Sequence, residues 1–492
     1  MTKLFIHHHS GLMAICLASL LAFGFLLYPG ADVGKHPVLA DESTHVIGDQ
    51  KTIVILFNFQ DNPVEPFTRS DVSKMMFGAS GSVNSFYQEI SYNRVSISGR
   101  VVGWFTVPFN QGCGAAAHLQ EAVQAADPFV NFQNYSRIVL FNPYCGGSSS
   151  GGKVEVETAD GTFPCQPPQS GLCVSASWID FNLTGGQLAD YIPGVSHEFG
   201  HSFGRGHANY LNCGPAVVST AAHCTSHEYG DFYSIMGFYN NGHMNAQEKD
   251  YLGWFVASQI ATVTQPQQSG SYTLEPLETN SPGLKTVKIQ RGPSDWVYVE
   301  YRQRIGADSN LDRPVLENSD IYSGAFVHGT HPVSQSYQSS LWDMSPADGS
   351  SIFEWVVHVT LPLGQTFTDP MTGTAITVTG RTASALTLNI NVPAAVDTDG
   401  DGFSNWLEAY LGTDPNDACS NTATPNDETV DAWPPDLNDD RFVDISDVSM
   451  LTAYMGESVP PAPQRYDLNP DGAIDSKDSD IITGLNGTSC SP

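Results

Sequence analysis

HEFGHSFGRGH, residues 197–207, sets three histidines and one glutamate at fixed intervals. On a helix, His197 and His201 stand about 40° apart around the axis and so share one side. Val195, Phe199 and Phe203 repeat at i+4 on the opposite side. One face is built to bury and the other to coordinate. Gly204 follows within a turn, where glycine tolerates the left-handed conformation that ends a helix and lets the chain double back. His207 is thereby brought to the same point, and three neutral imidazoles at roughly 2.0–2.1 Å would hold one catalytic zinc with a fourth position open to water. Glu198 neighbours the ligands without joining them. It is placed to act as general base toward water whose pKa the metal lowers to about 7, and then to pass the proton to a leaving amine. A bare H-E-x-x-H match usually decorates an ordinary helix, but the extended pattern with Gly204 and His207 is far more specific.

Bulk properties limit what surrounds this stretch. A chain of 492 residues is too long for one core and predicts about three units. The formal charge is −31, and from residue 397 onward the sequence holds 20 of the 52 acidic residues but 3 of the 21 basic ones. Such a surface repels phosphate backbones, which excludes nucleic acid as a partner and points to calcium.

Lys3 followed by the apolar run GLMAICLASLLAFGFLLY, residues 11–28, has the layout of an export signal, with a small-residue cleavage site at VLA, residues 38–40. The alternative is an N-terminal anchor, since the run is almost long enough to span a membrane. His7, His8 and His9 precede the run and would leave with it. Removing 1–40 as a signal also removes Cys16 and leaves Cys113, Cys145, Cys165, Cys173, Cys213, Cys224, Cys419 and Cys490. An even number in an exported chain reads as disulfides; neighbour pairing is expected, with Cys419 to Cys490 closing the tail.

Ahead of the histidines, KTIVILFNFQ and SRIVLFN read as buried strands, DVSKMMFGASGSVNSFYQEIS as helix broken by glycine, and RVSISGRVVGWFTVP as a strand pair. After residue 258 short alternating segments such as GSYTLEPL, KTVKIQ, WVYVEYRQR, GAFVHG, EWVVHVTL and ALTLNINV, separated by turn residues, predict a separate β-sandwich-like domain over 259–395. His223, His227 and His243 are expected to be exposed loop histidines, with cleft lining as the alternative.

The eleven-residue pattern resembles that of the metzincin zinc proteases, in which a methionine turn follows. The candidate here is YSIMGFY, and the resemblance implies that Met236 forms an apolar floor beneath the ligands. The strand IVILFNFQD, the segment SFYQEISYNRVSISG and the run HEYGDFYSIMG leading to NAQEKDYLGW resemble the gametolysin family more closely, over residues 51–255, and YVEYRQRIG extends the likeness. The resemblance implies an α+β catalytic domain, a mixed sheet plus an active-site helix, over 41–258, and secreted proteolysis of protein or glycoprotein. Two departures stand against it. Phe238 occupies the position where some metzincins carry a tyrosine, with Tyr239 one step too far, and no capping-cysteine pro-segment is present between the cleavage site and the first strand.

The tail carries a second signal. DTDGDGFSNWLE fits the EF-hand loop pattern, with Asp397, Asp399 and Asp401 supplying oxygens, Gly402 making the turn, Phe403 lending its carbonyl and Glu408 closing the site over the 396–418 segment. DLNDDRFVDISD and DLNPDGAIDSKD then repeat one acidic pattern, each leading into a short apolar helical stretch. This duplicated unit resembles the small α-helical dockerin module, over 419–492. The resemblance implies calcium held by Asp436, Asn438, Asp440, Asp444 and Asp447, and by Asp467, Asn469, Asp471, Asp475 and Asp478, and a cohesin-like partner. Up to three structural calcium ions are expected in all. Arg441 stands where the second loop has Gly472, so the first loop is expected to carry positive-φ strain.

Two function classes follow: a secreted zinc endopeptidase with a calcium-ordered docking tail, or a non-enzymatic calcium-dependent surface-binding protein that keeps the protease fold as scaffold. The intact general base beside the ligands favours the first.

Overall fold

The computed structural model describes residues 46–111, 115–143, 148–154, 156–158, 161–163, 174–180, 187–219, 224–237, 242–292, 295–311, 321–330, 338–346, 358–394, 396–457, 459, 462–470 and 474–491. The export segment, Cys16, Cys113, Cys145, Cys165, Cys173, His223, Phe238, Tyr239, Asp471 and Gly472 lie outside the described residues.

The chain is mixed α+β. Strand β1 (Gly48–Phe59) lies parallel to β2 (Val95–Val107) on one side and β3 (Arg137–Asn142) on the other. Then come β4 (Ser148–Val154), a small hairpin of β5 (Val156–Thr158) and β6 (Gly161–Phe163), and β7 (Val174–Asp180). The five-stranded sheet runs β2-β1-β3-β7-β4, with β4 the antiparallel edge. Helices α1 (Arg69–Phe77), α2 (Val83–Ile90) and α3 (Ala115–Ala126) cover it, followed by α4 (Ile192–Ser202).

Both faces of β1 are buried, which is why its sequence is continuously apolar rather than alternating. Ile53, Ile55 and Phe57 pack with Leu119, Ala122 and Val123 of α3. Val54 and Leu56 pack on the other side with Met76 of α1, Tyr87 of α2 and Phe199 of α4. Each such side chain contributes about 1.5–3 kcal/mol by leaving water. The glycine break expected between two helices falls at Gly78, the C-cap of α1. The strand pair expected for RVSISGRVVGWFTVP is instead one strand, β2. Gly99 does not turn the chain there; it sits against the Thr52 carbonyl of β1, where a Cβ would overlap that oxygen.

Beyond the histidines come β8 (Ala208–Asn212), β9 (Thr225–His227), α5 (Ala246–Tyr251), β10 (Ile260–Val263), β11 (Gly270–Leu274), β12 (Thr286–Gln290), β13 (Trp296–Glu300), β14 (Phe326–Gly329), β15 (Ser339–Trp342), β16 (Thr366–Thr368), β17 (Ala375–Thr382) and β18 (Ala385–Asn391). They form a seven-stranded sheet, β10-β12-β13-β14-β15-β8-β9, and a four-stranded one, β11-β18-β17-β16. Val287, Val299 and Trp342 of the first sheet share one core with Leu274, Val378 and Leu388 of the second. This two-sheet unit is not separate from the preceding region. Strand β8, which begins directly after His207, pairs in parallel with β15, and Leu211 needs the shared core to be covered. The segment EWVVHVTL forms no strand in its described part beyond a bridge between Ala325 and Leu361.

Helices α6 (Asn405–Leu411), α7 (Ile445–Thr452) and α8 (Ser476–Leu485) build the tail. Leu411 joins Trp433, Leu437, Val443, Leu451, Ile474 and Ile482 in one core, so the segments 396–418 and 419–492 pack as one body. Disulfides Cys213–Cys224 and Cys419–Cys490 follow neighbour pairing and tail closure respectively. Among the described helices none is long and apolar enough to cross a membrane.

Candidate metal centres

Helix α4 is fixed at both ends. Pro193 enters in its first turn, where its missing N–H costs nothing. At the far end the Arg205 N–H donates to the Gly200 carbonyl (3.1 Å) and the Gly204 N–H to His201 (2.8 Å), with Gly204 at φ +85°, a Schellman closure. Arg137 adds charge to that terminus: Nη1 donates to the Ser202 carbonyl (2.6 Å) and the guanidinium lies 4.4 Å from the Phe203 ring centre. Val195, Phe199 and Phe203 bury into the core.

The opposite face brings His197 and His201 together with His207, their ligand nitrogens all within 4.8 Å of one another. Each Nδ1 has an acceptor. His197 donates to the Ile235 carbonyl (2.8 Å), His201 to the Arg205 carbonyl (2.7 Å) and His207 to Glu228 Oε1 (2.5 Å). A carbonyl only accepts, so the proton is placed on Nδ1 and the Nε2 lone pair is left for a metal. Burial lowers the basicity of all three, to about 3 at His201 and about 4 at His207, so they are neutral at pH 7. The donor set therefore fits zinc: three neutral imidazoles with second partners already in place. Glu198 is buried beside them, and burial raises its carboxyl to about 8, near the range in which a general base exchanges protons at neutral pH.

Met236 is fully buried against Gly200 of α4, where any Cβ would strike its sulfur, and its carbonyl accepts from Ala208 N–H (2.9 Å) at the start of β8. The loop that supplies Ile235 to His197 thus also packs beneath the helix. Two further residues of the segment leading into that loop reach the site. Glu228 holds His207, and Tyr229, at φ +61°, sets its ring 3.7 Å from the His207 ring centre and 5.8 Å from that of His197. The signal for both lies in the run HEYGDFYSIMG, which carries a second His-Glu pair.

His243 is not an exposed loop residue. It is fully buried, its N–H accepted by Asp308 (2.6 Å) and its ring between Glu89 (3.2 Å) and Lys249 (3.0 Å). His227 does lie on the surface, at the end of β9.

In the tail, Asp397, Asp399 and Asp401 bring their oxygens within 4.8 Å of one another. Asp397 accepts the N–H groups of Gly400 (2.7 Å) and Gly402 (3.1 Å), and Gly402 has φ +97°. Glu408 projects from α6, fully buried, with neither carboxylate oxygen hydrogen-bonded. Burial, then Asp401, Asp399 and Asp397, raise it to about 8, and burial foremost raises Asp401 to about 6. Three crowded aspartates beside a buried, unsatisfied Glu408 carboxylate fit a hard cation. The Phe403 N–H donates to Asp401 (2.7 Å), which turns the loop into α6.

In their described parts the two later loops are closed by matching contacts. Asp447 accepts Leu437 N–H (2.7 Å) and Asp444 N–H (2.8 Å); Asp478 accepts Asn469 N–H (2.9 Å) and Asp475 N–H (2.7 Å). Asp444 and Asp475 cap α7 and α8. Asp436 accepts Asp440 N–H (3.1 Å) and Arg441 N–H (2.6 Å), Asn438 donates to Asp440 (3.0 Å), and Arg441 adopts φ +74° as expected. Asp467 is buried and accepts the Tyr410 hydroxyl (2.5 Å), which couples α6 to the second loop.

Residues 434–484 match the dockerin type I domain. The dockerin begins two residues before Asp436 and ends within α8, so both repeats fall inside it. Residues 397–418 match the bacterial TSP3 repeat, which takes in the Asp397 loop and α6. No curated protein matches the chain.

Proposed function

We propose that the chain is a secreted zinc-dependent endopeptidase whose dockerin holds calcium and docks it to a cohesin-like partner. The observation that carries the enzymatic reading is the convergence of His197, His201 and His207, each with its Nδ1 proton already accepted, beside buried Glu198. Zinc bound there would acidify water and polarise a peptide carbonyl. Glu198 takes the proton from the attacking water and delivers it to the leaving amine, with no covalent link to the protein. Glu228 and the Ile235 and Arg205 carbonyls hold the three rings in the required tautomer. Tyr229 walls the site on the His207 side. The substrate class is protein or glycoprotein.

Calcium in the dockerin is supported by the domain match and by the paired acidic loops. The matched modules in the tail also support an extracellular or cell-surface place for the chain.

Metal content tests the reading. Purified protein is expected to hold one zinc per chain, and His201→Ala to lose it together with peptide cleavage. A zinc-free wild type that cleaves peptides would overturn the proposal.

A further inference from the structure

The positions at the start of the first dockerin loop expected to face its cation are 1, 3 and 5, here Asp436, Asn438 and Asp440. Asp439 lies between them and points elsewhere. Its side chain is nonetheless buried, 1% exposed, and Oδ2 has no hydrogen-bond partner. A buried carboxylate oxygen left in this way is strongly unfavourable unless something pairs with it. Asp439 faces Asp427 and Glu428, and one carboxylate oxygen from each of the three lies within 4.8 Å of the others. The Ser420 hydroxyl stands near Asp439 without hydrogen-bond geometry. Asp431 adds further negative charge, though its own carboxylate is paired with Arg465 Nε (2.8 Å).

The surrounding chain holds the three carboxylates in place. Asn426 N–H donates to the Asn438 carbonyl (2.9 Å), Arg441 Nε to the Ser420 carbonyl (2.8 Å), and the Thr422 hydroxyl to Asp427 (2.9 Å). Asn421 N–H donates to Glu428 (2.6 Å). No lysine or arginine side chain pairs with Asp427, Glu428 or Asp439 among the described ion pairs. Among the described ion pairs, no cationic side chain offsets the repulsion between them.

We propose that Asp427, Glu428 and Asp439 form an additional divalent-cation site, for calcium, that fastens the segment between the TSP3 repeat and the dockerin to the back of the first dockerin loop. All-oxygen, all-carboxylate ligation selects a hard cation, and Glu428 and Asp427 come from outside the matched dockerin. The site is independent of the zinc centre and of any protease activity.

Calcium bound per full-length chain is counted by native mass spectrometry at saturating calcium, in wild type, in the double variant Asp427→Asn with Glu428→Gln, and in Asp439→Asn. Asp427 is exposed and Glu428 half-buried, so the double variant is expected to keep the wild-type far-UV circular dichroism. Each variant is expected to carry one calcium fewer than wild type. The same count in wild type and the double variant overturns the proposal, as does a loss seen in Asp439→Asn alone and accompanied by unfolding.

Discussion

His207 is held by a single carboxylate, and on the proposed zinc reading that contact tunes it as the third ligand. Glu228 accepts the Nδ1 proton at 2.5 Å, fixing the ring and raising the basicity of Nε2. Glu228→Gln keeps the size and removes the charge. It is expected to weaken zinc retention by about 10–100-fold in a chelator competition, with the fold unchanged. Unchanged zinc affinity would mean that the contact does not support the ligand. The clustering of His197, His201 and His207 was legible in the sequence because the spacing of the first two repeats with the helix and Gly204 marks its end. Glu228 and Tyr229 were not, since they reach His207 through the return of a loop 21 residues away, and no periodicity connects the two.

At the scale of elements, α4 depends on one missing side chain. Gly200 lies in mid-helix, where glycine costs about 1 kcal/mol relative to alanine, yet a Cβ there would collide with Met236. Overpacking of this kind costs about 1–3 kcal/mol and exceeds the helical gain. Gly200→Ala is therefore expected to lower the melting temperature and, by displacing the loop that presents Ile235 to His197, to weaken zinc binding as well. A thermal melt shows the first effect; a higher melting temperature would sink the packing argument. Element type was readable where burial is two-sided, as in β1 and β3. Alternation misled in β2, because one buried face gives the same pattern in a single long strand as in a hairpin, and Gly99 marked close approach to Thr52 rather than a turn.

At the scale of the whole molecule, the histidine-bearing region and the two-sheet region are tied together by a buried charged cluster behind the methionine loop. Arg302 pairs with Glu300 (2.7 Å) and Asp308 (3.3 Å) and donates to the Tyr233 carbonyl (2.7 Å). His328 of β14 pairs with Asp231 (3.1 Å), which also accepts from Asn245 (3.2 Å) ahead of α5. Burial pushes His328 down, but Glu300 and Asp231 outweigh it and raise it above its ordinary 6.5. Its stabilisation is thus complete below about 6.5 and fades as pH rises through the raised value. The melting-temperature gap between wild type and His328→Gln is expected to be widest near pH 6 and to narrow toward pH 9. A gap that widens with pH would contradict the charged pair. This cluster explains why the change of strand rhythm at 258 does not isolate a unit: composition changes there, but β8 and the charged pairs cross it. In the tail, duplicated acidic loops were legible directly, whereas the shared core of α6 with the dockerin was not, since it rests on contacts such as Tyr410 to Asp467 across 57 residues.

Digestion of an unfolded protein by wild type and Glu198→Gln, side by side with zinc and calcium present, tests the central claim most directly. Wild type is expected to cleave and Glu198→Gln to fall by at least about 100-fold while still binding zinc. Equal cleavage by both, or none by folded, zinc-loaded wild type, would contradict the protease reading and leave the dockerin-borne binding protein in its place.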